Sequence, residues 1–279
     1  MTDKTPTDQP PETPLHRAEM SVPLAAIGLA ATVATPLFID YWIVKVRWDW
    51  MEAYPDRAAA RPPTISRAMA DIPLGEQLGI WLSICALIMV VAAAIVSLLY
   101  LRTLRALPGP HQARRRIIWI ALAFLIVQIP VSAGIILQGI YSLSVSNDLH
   151  MAGSYLLFVA AGAAQVVCIL VTSSVLAVIG TDPTLREAGL IHPGAARLRA
   201  WVAGCGIAIA LGYLALFVLK DTAWSSPALY QAYVTTEVVL IVVYMGYLML
   251  HGIDFARILM RHGRSASASR TPASRAEGP

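Results

Sequence analysis

The stretch YVTTEVVLIVVYMGYLML, Tyr233–Leu250, holds a single charged residue, Glu237. About 20 apolar residues in a helix cross a hydrocarbon core of about 30 Å. The stretch is therefore long enough and apolar enough to span a bilayer. A charged group at mid-membrane costs on the order of 3 kcal/mol on insertion scales. Glu237 is thus expected to face a bundle interior or a wet cavity and not lipid. Its plainer reading is a neutral, hydrogen-bonded acid that glues helices together.

Five more windows have the same character: Val22–Val44, Leu78–Leu101, Ile117–Ile140, Ala152–Ile179 and Trp201–Leu219. The 279 residues are 57% hydrophobic and 14% charged, and the mean hydropathy is +0.63. A soluble domain has about 25% charged residues. Barrel strands alternate apolar and polar positions, and these windows do not. The expected class is all-α, a polytopic six-helix transmembrane bundle. The expected domain runs over 21–258, with an outer loop at 45–77. Polar tails rich in Pro, Thr, Ser and Arg at 1–20 and 259–279 are expected to be disordered. The first window is too long for the apolar part of a cleaved leader and reads as an uncleaved first span.

Lys and Arg near span ends set orientation. With six spans, the termini share a side with loops two and four. That side holds most of the basic residues, including the run Arg114, Arg115 and Arg116 and the five arginines from Arg257 onward. Loop one has Lys45, Arg47, Arg57, Arg61 and Arg67, loop three has none, and loop five has Lys220. Both termini are expected to be cytoplasmic. The basic balance follows from this bias and gives no sign of nucleic-acid binding.

Polar groups converge on the opposite, outer side. Asp40 ends span one, Glu76 opens span two, Asp148 and His150 sit at the hairpin between spans three and four, and Glu237 lies near the outer end of span six. Asp40 and Glu76 also read as helix-end residues, Asp148 as the N-cap of span four, and His150 as a structural hydrogen bonder. Trp48, Trp50 and Tyr54 suit an interfacial aromatic belt. Gln138 and Gln165 are candidates for a bond between neighbouring helices, Pro130 is expected to kink its helix, and the small residues of FVAAGAAQ (158–165) and AGCGIAIALG (203–212) should allow close packing. Cys85, Cys168 and Cys205 lie inside apolar windows and read as packing residues. No nucleophile elbow, H-E-x-x-H or phosphate loop is present.

Several of these residues fall in a recurring order. PPTISRAMADIPLGEQLGIW (62–81) contains Pro63, Thr64, Ile65, Ser66 and Glu76. LHMAGSYLLF (149–158) contains His150, Gly153 and Phe158. TTEVVLIVVYMGYLMLHGIDF (235–255) contains Glu237, Asp254 and Phe255. The chain resembles the damage-regulated autophagy modulator (DRAM) family, which takes in a GPI-anchor remodelling factor and the yeast suppressor-of-four-kinase protein. It departs from the pattern where two residues separate Pro73 from Glu76, where Met151 replaces the acid after the histidine, and where Val238 replaces a tryptophan. The resemblance implies six spans, cytoplasmic termini and a role in lipid handling: GPI-lipid remodelling, organisation of plasma-membrane lipids, or autophagy control at lysosomes.

The resulting expectation is a non-enzymatic lipid-binding or lipid-organising protein of the plasma membrane or an endomembrane. Its headgroup cleft would be built from Asp40, Ser66, Glu76, Asp148, His150 and Glu237, with loop one as lid. No catalytic residue, cofactor or metal is assigned. Membrane lipids are the expected partners, with a cytosolic protein on the basic loops as a further one. Three alternatives stay open: a transporter or channel that uses Glu237, an intramembrane lipid hydrolase with His150 as base or metal ligand, and a scaffold that acts through its basic loops and tail.

Overall fold

Proline and short polar caps set most of the helix boundaries. The computed structural model describes residues 20–71, 73–105, 111–180 and 190–268. Among these are nine helices: α1 (Val22–Ala53), α2 (Pro55–Ala60), α3 (Ile65–Asp71), α4 (Pro73–Arg105), α5 (His111–Ile140), α6 (Asn147–Ile179), α7 (Pro193–Leu219), α8 (Pro227–Met249) and α9 (Gly252–Ala268). Helices α1, α7 and α8 begin with proline in the first turn, where its missing N–H would have no partner anyway. Ser146 and Ser226 accept the backbone N–H of Leu149 and Leu229 to cap α6 and α8. The N-cap of α6 is thus Ser146 and not Asp148.

Six helical spans are long and apolar enough to cross a membrane, and they correspond to the six windows. They pack as a ring in chain order, α1 on α4, α4 on α5, α5 on α6, α6 on α7 and α7 on α8, with α1 closing the ring against α8 and α9. Close approach of α4 and α5 requires glycine. A Cβ on Gly79 would lie 2.2 Å from the Gly139 carbonyl oxygen. Gly134 and Gly153 serve α5 and α6 in the same way: a Cβ on Gly134 would lie 2.6 Å from Leu157 N. Of the small residues expected to tighten packing, Gly206 faces Gln165, whereas Gly162, Gly204 and Gly212 meet nothing within 4 Å. Helix α5 runs through Pro130 to Ile140. Ser97 and Ser132 donate to the Ala121 and Ala86 carbonyls at 2.9 Å, tying α4 to α5.

Span boundaries differ from the expected ones in two places. Helix α1 does not stop near Val44 but continues to Ala53. Pairs four residues apart support this overhang: Lys45 donates to Asp49 at 2.7 Å and Trp48 to Glu52 at 2.6 Å, the spacing at which helical side chains meet. Much of the expected outer loop 45–77 is therefore helical. At the other end, the sixth span breaks after Met249 and resumes as α9, which continues to Ala268, so the segment expected to be a tail from 259 is helical as far as it is described. The two tails at 1–19 and 269–279, the Pro-Gly-Pro turn and Arg186 lie outside the described residues.

The loop-one helices form a cap on one end of the ring. Trp50 is buried, and its indole donates to Asp71 at 3.1 Å, while the Tyr54 hydroxyl donates to the Asp71 carbonyl at 3.2 Å. Both side chains fasten α3 to the α1 overhang. Only Trp48 of the three expected belt residues is strongly exposed. At the opposite end, Arg199 and Asp254 form an ion pair of 2.6 Å with both side chains fully buried. Asp254 also accepts His192 N at 2.7 Å, and the Tyr100 hydroxyl pairs with His251 at 3.2 Å.

Candidate functional site

Two prolines and a threonine place the centre of the cap. Pro62 and Pro63 disfavour helix in the residue before each. The Thr64 carbonyl then accepts Ala68 N at 3.0 Å, and the Thr64 hydroxyl accepts Arg67 N at 3.2 Å. Thr64 is therefore the cap of α3, and Ile65 and Ser66 are its first two helical residues. The Ile65 N–H is one of the donors that a helix start leaves without an intrahelical partner. Glu237 on α8 supplies the partner: its Oε2 accepts that N–H at 2.9 Å. Arg47, whose Nε donates to the Pro63 carbonyl at 3.2 Å, lies within electrostatic reach of the same carboxylate.

One residue further on, Ser66 meets His150. Ser66 Oγ and His150 Nε2 are 2.8 Å apart, and His150 Nδ1 lies 2.9 Å from the Tyr141 carbonyl. A carbonyl only accepts, so Nδ1 carries the imidazole proton and donates it to Tyr141. Nε2 is then left with its lone pair and accepts the Ser66 hydroxyl proton. This tautomer follows from the hydrogen-bond network. His150 is 1% exposed, and Ser66 is half-buried.

Ser66, His150 and Glu237 all line one cavity of about 440 Å³ between α3, α6, α7 and α8. The polar groups lie at its capped end. Its walls are apolar and aromatic, among them Met151, Phe158, Ile207, Phe217 and Leu240. Tyr213 and Tyr233 stack at 5.2 Å with the Tyr213 hydroxyl donating to that of Tyr233 at 3.3 Å. The cavity opens sideways between α6 and α7. Val159 (74% exposed) on α6 and Leu211 (65% exposed) on α7 both line it and reach the outer surface of the bundle. The span formed by α7 is also the least enclosed, with 17% of its most apolar window buried against 39–56% in the others.

The family model for the Frag1/DRAM/Sfk1/Cwh43P N-terminal domain matches residues 20–258. The chain belongs to this family. With six spanning helices, this Frag1/DRAM family member is a multi-pass integral membrane protein. The chain matches no curated protein and no solved structure.

Of the six residues expected to build a headgroup cleft in this family member, three come together and three do not. Ser66, His150 and Glu237 share the cavity. Asp40 does not line it. Because α1 runs past Val44, Asp40 is seven residues below Arg47, about 10 Å along the helix axis, and its Oδ1 is buried without a hydrogen-bond partner among the described residues. Glu76 and Asp148 are exposed in the first turns of α4 and α6, where a carboxylate is favoured by the helix dipole. Among the described residues, no three His, Cys, Asp or Glu side chains gather as a metal-ligand group, so the shell of His150 with Asp40, Glu76, Asp148 or Glu237 does not assemble. No Gln138–Gln165 bond forms; the Gln165 amide is buried with neither atom paired among the described residues.

Sequence reasoning missed the Ile65 N–H, the Tyr141 carbonyl, Arg47 and the Tyr213–Tyr233 stack. Backbone partners leave no mark in composition. The tyrosines did leave one, as hydroxyl-bearing rings within apolar windows. The Met151 departure also gains a place: its apolar side chain lines the cavity.

Proposed function

We propose that this Frag1/DRAM family member binds a membrane lipid by one acyl chain. The chain enters between α6 and α7 and lies along the apolar walls, and the ester region of the lipid reaches Ser66, His150 and Glu237. The single observation that carries this reading is the shape of the cavity: apolar along its length, open to the outer surface of the bundle through lipid-facing side chains, and polar at the capped end. Its volume, about 440 Å³, lies within the roughly 300–1,000 Å³ of ligand pockets. Helix α3 acts as the lid.

The test uses the full chain reconstituted in vesicles of phosphatidylcholine doped with a phosphatidylcholine that bears a photoreactive acyl chain. Crosslinks are expected on Val159, Leu211 or Leu214. Gly162→Trp combined with Ala210→Trp fills the cavity and should reduce crosslinking several-fold. Crosslinks spread evenly over all six spans and insensitive to the double substitution would overturn the reading. A transporter that uses Glu237 instead predicts proton or solute flux that tracks titration of that carboxylate, read in the same vesicles.

A further inference from the structure

We propose that Ser66 is a nucleophile and His150 its general base, so that the cavity carries out acyl transfer through an acyl-Ser66 intermediate. This deepens the lipid-binding reading and rests on it: the acyl chain held by the cavity would be the group transferred.

The geometry carries the assignment. A serine hydroxyl is a weak nucleophile until an adjacent base takes its proton, and the base is in turn oriented by a third group. Ser66 Oγ donates to His150 Nε2 at 2.8 Å, and His150 Nδ1 donates to the Tyr141 carbonyl at 2.9 Å. These distances fall in the range of about 2.6–3.2 Å expected for a nucleophile and its base. The carbonyl holds the imidazole in the tautomer that leaves Nε2 free to accept a proton. The base is almost wholly shielded, whereas Ser66 is half-buried and faces the cavity. Glu237 is a positioning residue. By accepting the Ile65 N–H it fixes the first turn of α3, and with it the serine one residue along. A bond that only tied loop one to α6 would need neither the fixed tautomer nor an opening through which an ester can reach the hydroxyl.

The step balances without a redox partner. Ser66 Oγ bonds to the carbonyl carbon of a lipid ester as its proton passes to Nε2. The ester C–O bond then breaks, and the leaving alcohol takes that proton from His150. Water, or the hydroxyl of a second lipid, next adds to the acyl-serine carbonyl and gives its proton to His150. The Ser66–acyl bond breaks, and the serine oxygen recovers the proton. The sum is ester plus water, or ester plus alcohol, giving acid or a new ester.

An alkyl fluorophosphonate tests this on the full chain in phosphatidylcholine vesicles, with the adduct mapped by peptide mass spectrometry and the photoreactive lipid crosslinked in parallel. The expected result is an adduct on Ser66, lost in Ser66→Ala, and formed about 100-fold more slowly in His150→Gln, the usual contribution of a general base. No adduct on Ser66 while crosslinking persists overturns the nucleophile and leaves lipid binding standing. Loss of both in the unaltered chain overturns both. Equal labelling rates with and without His150 overturn the base.

Discussion

Glu237 has a backbone amide as its partner, and that decides how it responds to substitution. In Glu237→Ala the Ile65 N–H stays buried with no acceptor, which costs roughly 1–3 kcal/mol. Glu237→Gln keeps an amide oxygen that can accept. The alanine variant should therefore melt lower in detergent than the glutamine variant, and equal melting temperatures would contradict the contact. At the other end of the bundle, Arg199 and Asp254 are paired with both side chains fully buried. Removing one partner of a buried pair costs about 3–5 kcal/mol, whereas replacing both with apolar residues is often nearly neutral. Arg199→Ala is expected to abolish most folded protein, and Arg199→Met combined with Asp254→Leu to recover much of it, as read by size-exclusion yield. His150 and Glu237 stood out in the sequence as titratable groups in or beside apolar windows, whereas Ser66 came only from the resemblance carried by its loop-one stretch. Asp40 lies deeper than its apolar window suggested because α1 runs on past that window, while Glu76 and Asp148 sit in exposed first turns of α4 and α6, the helix-end positions their place in the sequence also allowed.

Among the elements, the six spans were legible since nothing but a membrane accounts for six apolar windows of that length. Their ends were not. The α1 overhang is held by Lys45–Asp49 and Trp48–Glu52, pairs that a hydropathy window counts only as polar. The exposed face of α7 was equally hidden, because a wall of an apolar cavity and a lipid-facing stripe have the same composition. Glycine spacing also needed coordinates, since Gly79 and Gly139 meet backbone to backbone while Gly204 meets nothing. Gly79→Leu should force α4 and α5 apart at a cost of about 1–3 kcal/mol, whereas Gly204→Ala should stay within about 0.5 kcal/mol. Chemical unfolding in mixed micelles distinguishes the two, and equal losses would show that the α4–α5 crossing is not tight.

For the molecule as a whole, the ring of spans puts the cap and the Arg199–Asp254 pair at opposite ends. We propose that the cap faces away from the cytoplasm and that both termini are cytoplasmic, on the strength of the basic bias. In a background without native cysteines, Val145→Cys in the loop before α6 should react with an impermeant maleimide added to intact cells. Met260→Cys on α9 should react only after permeabilisation. The opposite pattern would invert the topology. Both positions are exposed.

Helix α1 touches both ends of the bundle. Its 32 residues make a rod of about 48 Å. Near its start, Gly28 and Val33 rest against Phe255 and Gly252 of α9; at its far tip, Trp50 and Tyr54 grip the end of α3. A stiff rod fastened at both ends in this way would carry a tilt of α9 to the lid above Ser66.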